Sequence, residues 1–356
     1  MKKILALIFL ISILIPRFCF AAWQPDLRIK IIDKVQSVSV ETSIPSVFQI
    51  ENEKNFKFLK AQTLAKIEIK NGKIFVNGEN SNSTKIFLRT REKRSLTEMK
   101  TIVQNLTYPG GLNIEIVNGS LRIVNVAPIE EYLRGVLPSE MSPSYPIEAL
   151  KAQAIAARTF ALKNRGKHGL DGYDLCNTTH CQVYKDESSY SNLTDQAILE
   201  TFGQTLFFGD VIINAPFHAD SGGKTASSKE VWGGDFVYLQ SVNDVKFDPW
   251  KVESKSDFDS IDHIYKTTSG RIEKITFRQG KNLVTLTGSE IRAAFNLPST
   301  MFDVKCKSKI LTFIGYGSGH GVGMSQMGAR ELANRGKTFD EILKHYFQKI
   351  EIRKLY

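Results

Sequence analysis

Apolar and polar residues alternate in two parts of the N-terminal third, and an Asn-Gly pair interrupts each alternation. Residues 65–69 (AKIEI) precede Asn71-Gly72, and residues 112–116 (LNIEI) precede Asn118-Gly119. Alternation is typical of half-buried strands, and Asn-Gly favours the two-residue turn in which both φ angles are positive. The sequence therefore predicts two β-hairpins in this part of the chain.

A different pattern begins at Pro146. Residues 149–162 are rich in Ala and leave little polar surface on any side of a helix. Pro suits the first helical position, and Glu148 in the first turn complements the helix dipole. Because a helix that is apolar on nearly every side must be covered, we expect this one to be buried. Residues 139–141 (Ser-Glu-Met), just before it, are expected in a proline-bracketed loop.

The C-terminal half combines helical and strand patterns. Short helices are predicted at 195–201, 290–295 and 339–347, and strands at 205–208, 211–217 and within 261–286. The predicted fold class is α+β, with a β-rich N-terminal region (22–104) followed by a mixed α/β domain (105–356) that contains the buried helix. The boundary is soft and falls between residues 93 and 109.

Residues 1–21 have the organisation of a secretory signal. Lys2 and Lys3 precede an apolar run, residues 4–15, that is too short to span a bilayer comfortably, and Cys19-Phe20-Ala21 fits a cleavage site. The alternatives are an uncleaved anchor, which Pro16-Arg17 argues against, and a lipoprotein acylated at Cys19, which the bulky or charged residues before Cys19 argue against. We therefore expect an exported protein with no stable membrane span after cleavage.

The charge balance is basic. The whole chain has a formal charge of +10, and removal of the signal lowers it to +7. Most of this excess lies between residues 23 and 100, where fifteen Lys and Arg face nine Asp and Glu. In an exported protein this favours an anionic polymer of the cell envelope. The export signal and the lack of a binding motif argue against nucleic acid as a partner.

Two cysteines and one histidine lie within six residues at Cys176, His180 and Cys181. They offer three zinc ligands from one tight loop, and His168 is a possible fourth. In an oxidising compartment Cys176 and Cys181 could instead form a disulfide. The sequence leaves both alternatives open. The remaining cysteine of the exported chain, Cys306, is expected to be a buried core residue.

Two further segments carry candidate polar groups. Residues 217–225 (FHADSGGKT) include His218 and Ser221, but no strand–elbow–helix setting surrounds them, which argues against a serine hydrolase triad. The Gly-rich segment 315–326 lacks the residues of a phosphate-binding loop and is expected to present His320, Ser325 and Gln326 to a cleft. Trp232 is interpreted either as a core residue or as a platform for stacking a sugar.

Six sequence words occur in a fixed order along the chain. They are EYLRGVLPSEM (131–141), EALKAQAIAARTFAL (148–162), THCQVY (179–184), FHADSGGKT (217–225), EVWGGD (230–235) and GHGVGMSQMGA (319–329). In this order they resemble the stage II sporulation protein D (SpoIID/LytB) family, from about residue 105 to the C-terminus. One departure is that Ser142 follows Met141 where the family pattern often has Pro.

The resemblance implies a lytic transglycosylase that cleaves peptidoglycan strands already stripped of their peptides by an amidase. Glu140 would act as the acid and base of this reaction, which leaves a 1,6-anhydro end. Ordinary glycosidases use two carboxylates. The nearby Glu130 and Glu131 are expected in an exposed turn, and the helix dipole accounts for Glu148.

The expected substrate contacts and zinc ligands complete the hypothesis. Arg158 is expected to pair with a carboxylate of the stripped glycan if it borders the cleft. The predicted substrate-binding residues are Gln153, Arg158, Gln182, Tyr184, His218, Ser221, His320, Ser325 and Gln326, and the predicted zinc ligands are Cys176, His180, Cys181 and His168.

Two other function classes remain as alternatives. A non-catalytic wall-binding protein could stimulate a partner amidase, as some relatives are thought to do, although such a protein has no need of Glu140. A zinc amidase or peptidase is disfavoured because the motif His-Glu-x-x-His is absent and the cysteine loop holds no obvious general base.

Overall fold

The structure is a computed structural model and describes residues 24–50, 54–91 and 96–356. The predicted signal, residues 1–21, lies outside the described residues. No helix among the described residues is long and apolar enough to cross a membrane.

The N-terminal part of the described chain is built from strands. They are β1 (Asp26–Val35), β2 (Ser37–Thr42), β3 (Ser46–Ile50), β4 (Lys54–Leu59), β5 (Ala65–Lys70), β6 (Lys73–Val76), β7 (Glu79–Asn80), β8 (Lys85–Thr90), β9 (Lys100–Val103), β10 (Leu106–Pro109), β11 (Gly111–Val117) and β12 (Ser120–Pro128).

Helices and shorter strands follow. They are α1 (Ile129–Glu140), α2 (Ile147–Lys163), β13 (Leu175–Cys176), α3 (Asn192–Glu200), β14 (Gln204–Phe208), β15 (Val211–Ile212), β16 (Phe217–His218), α4 (Ser228–Trp232), β17 (Trp250–Lys255), β18 (Ser260–Lys266), β19 (Ile272–Gln279), β20 (Asn282–Thr287), α5 (Gly288–Ala294), β21 (Phe302–Lys307), β22 (Ile310–Gly315), β23 (Met324–Ser325), α6 (Gln326–Asn334), α7 (Phe339–Tyr346) and β24 (Glu351–Lys354). This mixture of helices and strands agrees with the predicted α+β class.

Both predicted hairpins are present. Strand β5 pairs with β6, and β11 pairs with β12, each antiparallel. At the turns, Asn71 and Gly72 have φ angles of 49° and 71°, and Asn118 and Gly119 have φ angles of 50° and 75°. Positive φ at both turn positions matches the right-handed twist of the flanking strands, which is why Asn-Gly occurs there.

A seven-stranded sheet joins the two regions that the sequence analysis divided near residue 105. Its order is β13-β1-β12-β11-β8-β3-β4, so the hairpin β11–β12 lies between β1 and β8. A six-stranded sheet, β10-β9-β2-β5-β6-β7, is built from strands between residues 37 and 109. One continuous hydrophobic core contains Leu27 and Ile67 as well as Leu150 and Leu343. The regions on the two sides of the predicted boundary therefore share a sheet and a core.

Helix α2 confirms the predicted buried helix. Its first residue is Ile147, and Pro146 precedes it as the N-cap. Six alanines between Ala149 and Ala161 have no exposed surface. Since α2 also packs against α1, α3, α6, α7 and β14, small side chains allow these elements to approach it from all sides.

The segment before α2 differs from its predicted form. Residues 129–140 form the helix α1, with Pro138 inside its last turn, so Glu140 ends a helix where a loop was expected. Glu130 lies in the first turn of α1 and is buried, and Glu131 is half-buried, so the exposed turn predicted for this pair is wrong. Packing of α1 against α2 and α3 favours the helix despite the proline.

A second hydrophobic core lies between residues 250 and 315. Ile272, Ile275, Phe277, Ile291 and Phe313 are among its buried members. The surrounding elements are two three-stranded sheets, β17-β22-β21 and β18-β19-β20, together with α5. The main core includes Leu239 before this part and Val322 after it. We call residues 250–315 the inserted unit.

Arg158 of α2 and Glu130 of α1 form a buried ion pair. The Arg158 Nε and Nη2 atoms donate to the two carboxylate oxygens of Glu130 at 2.8 and 2.7 Å. The hydroxyl of Tyr356 and the backbone N–H of Gly203 donate to the same carboxylate. Arg158 is fully buried, so it has no surface for a glycan carboxylate, and its predicted substrate contact is corrected to an internal one.

We expect Arg158→Met to lower the free energy of unfolding by about 3–5 kcal/mol, because it leaves the Glu130 carboxylate buried without its partner. Removing both charges in Arg158→Met/Glu130→Leu should recover part of that loss. Urea denaturation measures both effects. Lys344→Met is the control, since it removes an exposed pair with Asp340 and should cost less than about 1 kcal/mol. Equal losses in Arg158→Met and Lys344→Met would contradict a stabilising role for the buried pair.

Candidate active site

A cavity of about 680 Å³ lies where the end of α1 meets the segments 160–181, 214–219 and 318–320. We call it the cleft. Glu140, Trp232 and His320 line it, and so do His180 and Cys181 of the cysteine loop. Its volume is in the range of ligand-binding pockets. Glu140 is the one carboxylate among its described lining residues.

Glu140 is anchored by the backbone of the cysteine loop. Its Oε1 atom accepts a hydrogen bond from the backbone N–H of Val183 at 2.6 Å. Burial raises the pKa of Glu140 above its ordinary value, and the Val183 hydrogen bond opposes that shift in part. A carboxyl group with a raised pKa keeps its proton at higher pH, which a general acid requires.

At Gly135, helix α1 lies unusually close to the chain that follows the cysteine loop. A Cβ atom on Gly135 would collide with the backbone oxygen of Lys185 and with the ring of Tyr184. The Lys185 N–H donates to the Gly135 carbonyl at 3.2 Å. Glycine at position 135 therefore allows the contact that fixes α1 and residues 183–185 relative to each other.

His218 and His320 line the opposite part of the cleft, as predicted. Their ring centroids are 5.5 Å apart. The Nδ1 atom of His218 lies 3.1 Å from the Val322 carbonyl, so it carries the proton and Nε2 is left as an acceptor. This Nε2 atom is buried and has no hydrogen-bond partner among the described residues. Burial, with the neighbouring His320 and Arg271, lowers the pKa of His218, so its ring is neutral.

Trp232 also lines the cleft, next to His320, and is partly exposed to solvent. It ends the short helix α4, which begins with a capping box formed by Ser227 and Glu230. Its side chain is 49% exposed, and its ring lies 5.2 Å from His320. Of the two interpretations of Trp232, exposure in the cleft favours the sugar platform over the core.

The Gly-rich segment is a tight loop with repeated positive φ angles. Gly317, Gly319, Gly321 and Gly323 have φ angles of 75°, 107°, 83° and 73°. A Cβ atom on Gly321 would collide with the guanidinium of Arg271. The loop can therefore pass close to its neighbours, and it places His320 in the cleft.

The cysteine loop gathers four metal-binding side chains. The ligand atoms of His168, Cys176, His180 and Cys181 all lie within 4.8 Å of one another, and we call these four residues the Cys/His cluster. Cys181 Sγ is 3.5 Å from His168 Nε2 and 3.7 Å from His180 Nδ1, and Cys176 Sγ is 3.6 Å from His180 Nδ1. A tetrahedral zinc ion with normal bond lengths requires separations of about 3.3–3.8 Å.

The chemistry of the cluster also fits zinc. Cys176 and Cys181 are free thiols in the structure. Burial disfavours the Cys176 thiolate, but hydrogen bonds from Thr178, His180 and Cys181 outweigh burial and lower its pKa to about 6. Burial and the neighbouring Cys176 thiolate raise the pKa of Cys181 to about 11, so without a metal ion the two thiols share one negative charge. The second ring nitrogen of His168, Nδ1, lies 3.7 Å from the Asp171 carboxylate, which is too far for a hydrogen bond but leaves a carboxylate close to that nitrogen. The donor set and its spacing are therefore suitable for a structural zinc.

The other predicted substrate-binding residues lie in the interior and do not line the cleft. Gln182 donates to the Ala157 carbonyl, and Tyr184 donates to Asn125. Ser221 donates to Asp244, and Ser325 caps α6. Gln153 and Gln326 are buried, and each has amide atoms without a partner. The family-like sequence words made them candidates, but in the folded chain all six side chains are buried.

Sequence reasoning missed Arg292 and the role of Val183. Arg292 lies on α5 of the inserted unit and lines the cleft together with Glu140. It lies outside all six sequence words, so no motif indicated it. Val183 acts through its backbone N–H, which any residue except proline supplies, and the side-chain sequence therefore gives no signal for it.

Comparison of the sequence with known proteins finds relatives that match the part of the chain that forms the cleft. A family profile described as "Stage II sporulation protein" matches residues 117–208. Stage II sporulation protein D of Bacillus subtilis is 32% identical over 271 residues, which cover 68% of this chain and 79% of the relative. The chain belongs to the stage II sporulation protein D family. The matched residues include α1, Glu140 and the whole Cys/His cluster.

Two other relatives extend the comparison. An uncharacterised protein of Brachyspira hyodysenteriae is 33% identical over 272 residues, covering 70% of this chain and 73% of the relative. A B. subtilis protein named amidase enhancer is 30% identical over 284 residues, covering 60% of this chain and 39% of the relative. A second profile, described as a domain of unknown function, matches residues 239–323 and so includes the inserted unit.

We expect the pH dependence of stability to report the buried carboxyl of Glu140. Because its folded pKa is raised above the unfolded value of 4.5, folding favours the protonated form, and that stabilisation is lost as pH rises through the folded pKa. Glu140→Gln cannot ionise. Its melting temperature relative to the native protein should therefore increase between pH 4 and pH 8.

Glu273→Gln, at an exposed position of β19, is the matched control and should show no comparable trend. A constant difference between Glu140→Gln and the native protein across this pH range would show that the Glu140 pKa is not raised.

Proposed function

We propose that this protein is a peptidoglycan lytic transglycosylase in which Glu140 is both the acid and the base. The observation that carries the proposal is a single, partly buried carboxyl group with a raised pKa in a cleft of about 680 Å³. Hydrolytic glycosidases use two carboxylates. A cleft whose described lining offers one carboxylate suits a reaction in which the substrate supplies its own nucleophile.

The reaction begins with protonated Glu140. Its proton passes to the glycosidic oxygen that follows N-acetylmuramic acid, and the bond from the anomeric carbon to that oxygen breaks. The C6 hydroxyl oxygen of the same sugar bonds to the anomeric carbon and gives its proton to the Glu140 carboxylate. Glu140 is protonated again, no water is consumed, and the new end is a 1,6-anhydro sugar.

The cleft residues support this chemistry in different ways. The Val183 N–H holds the Glu140 carboxyl in place and stabilises it after it has lost its proton. The unpartnered Nε2 atom of His218 is an acceptor for a sugar hydroxyl or an acetamido N–H. Trp232 offers an exposed ring face at the cleft. These groups bind and orient the sugar, while Glu140 moves the proton.

Zinc has a structural role in this proposal. His168, Cys176, His180 and Cys181 would hold it, and the ion would order the loop that leads to Val183. Because Cys181 and Val183 are only two residues apart, order in the Cys/His cluster is passed to the N–H group that anchors Glu140. The nucleophile comes from the substrate, so the reaction needs no metal-bound water.

The substrate and location follow from charge and the N-terminal sequence. Removing stem peptides leaves a free carboxylate on each muramic acid, so a peptide-stripped strand is a polyanion that a basic protein attracts. The signal-like residues 1–21 would direct the protein across the cytoplasmic membrane to the cell envelope. An amidase that strips the peptides is the expected partner.

Changing Glu140 to Gln keeps the shape of the side chain and removes the proton donor. We expect the release of 1,6-anhydro ends from amidase-treated peptidoglycan to fall by about 10²–10⁴-fold while the protein remains folded. Mass spectrometry of the products measures this rate. Glu148→Gln is the control, since Glu148 bonds to Lys151 and the Phe339 N–H away from the cleft lining.

Release of anhydro ends at the native rate by Glu140→Gln would refute the catalytic assignment. The similarity to the amidase enhancer supports a second candidate function, stimulation of a cell-wall amidase. If the native protein releases no anhydro ends, and both it and Glu140→Gln accelerate an amidase equally, that second function replaces the first.

Native mass spectrometry tests the zinc assignment on the purified protein. We expect one bound zinc with reduced cysteines, and loss of that zinc in Cys176→Ser, because the cluster then lacks one thiolate. Cys306→Ser is the control, since Cys306 belongs to the inserted unit, where it is half-buried and its thiol lies near the Phe258 carbonyl. A metal-free protein two hydrogens lighter than the reduced chain would instead establish the Cys176–Cys181 disulfide.

A further inference from the structure

The inserted unit contributes one cation to the cleft. Arg292 lies on α5, beside the buried Ile291 of the second core. Arg292 and His320 line both the cleft and a neighbouring cavity of about 330 Å³. A strand of several sugars that occupied both cavities would therefore lie beside Arg292.

The Arg292 guanidinium is held in place without an anionic partner. Its Nε atom donates to the Leu297 carbonyl at 3.2 Å, which fixes the orientation of the planar group. No carboxylate oxygen of the described residues lies within 4.0 Å of the guanidinium nitrogens, so it has no ion-pair partner among them. Burial lowers the pKa of Arg292. A partly buried guanidinium without a counter-ion favours binding of an anion.

Two neighbouring charged groups, Arg271 and Glu230, are already engaged. Arg271, which lines the second cavity, donates to the carbonyls of Lys224 and Ser221. Glu230 accepts from the Thr268 hydroxyl and from the Ser269 N–H. Glu273 lines the second cavity and is exposed. The guanidinium of Arg292 therefore keeps its outer nitrogens available to a ligand.

We propose that Arg292 binds a carboxylate of the glycan, namely the free lactyl carboxylate of a peptide-stripped muramic acid, and so sets the preference for stripped strands. This inference rests on the proposed function, because it assumes a glycan in the cleft. A planar guanidinium matches a carboxylate through two parallel hydrogen bonds. An intact stem peptide converts that carboxylate to an amide and removes the charge.

The terminal carboxylate of an intact stem peptide is a second source of the same chemistry. A lactyl carboxylate is attached directly to the sugar ring, whereas the end of a four- or five-residue peptide can lie about 13–18 Å away. Arg292 lines the same cleft as Glu140, where the sugar itself must lie. The position of Arg292 therefore favours the lactyl group.

The test measures binding of three forms of one glycan to Glu140→Gln protein, which prevents turnover. The forms are amidase-treated strands, the same strands with their carboxylates converted to amides, and strands with intact stem peptides. Adding Arg292→Gln should weaken binding of the first form by about 10–100-fold and leave the second nearly unchanged, because the lost interaction is a charge-assisted hydrogen bond. Arg292→Lys should retain part of the affinity.

Arg278→Gln is the matched control, since Arg278 carries the same charge on the inserted unit but pairs with Asp262 outside the cleft lining. Arg278→Gln should leave the affinities for the three glycan forms close to those of the parent Glu140→Gln protein. In protein that keeps Glu140, Arg292→Gln should raise KM for stripped strands more than it lowers kcat.

Equal weakening of the first two forms would overturn the inference, because the lost contact would then not involve the carboxylate. Weakening confined to intact strands would also overturn it and would assign Arg292 to the stem peptide. Failure of the proposed function gives a different result: native protein would then release no anhydro ends, even if Arg292 still discriminated charged from amidated strands.

Discussion

The buried ion pair between Arg158 and Glu130 holds together the elements on which the cleft is built. It joins α2 to the first turn of α1, and the same carboxylate accepts from Gly203 and from Tyr356 near the C-terminus. The Arg158 Nη1 atom also donates to the Gln204 carbonyl at the start of β14. A buried charge must keep its partners, so these segments are constrained to one arrangement.

That arrangement determines where Glu140 lies. Glu130 fixes the start of α1, the close contact at Gly135 fixes its middle, and the Val183 hydrogen bond holds Glu140 at its end. The candidate acid is thus positioned by a helix and by the backbone after the Cys/His cluster. Rigid support of this kind holds a reacting group in place better than an isolated loop would.

The inserted unit contributes a cleft residue from outside the main core. It has its own core and meets the main core near the Gly-rich loop, where a Cβ atom on Gly321 would collide with Arg271. The main core supplies Glu140 and His218, and the inserted unit supplies Arg292. In the proposed reaction, proton transfer and recognition of the substrate charge belong to separately packed parts of the chain. On that proposal, changes in the inserted unit would alter substrate preference while the support of Glu140 is kept.

The sequence by itself determined the features that depend on neighbours in the chain. Asn-Gly specified the two hairpin turns, the Ala-rich run specified a buried helix, and the spacing of Cys176, His180 and Cys181 brought three donors into one loop. Tertiary structure decided the rest. The helical course of α1 through Pro138, the burial of Arg158 and the arrival of Arg292 at the cleft all depend on residues distant in the chain. Local patterns cannot encode such contacts, because the energy that decides them comes from packing and charge pairing in the folded protein.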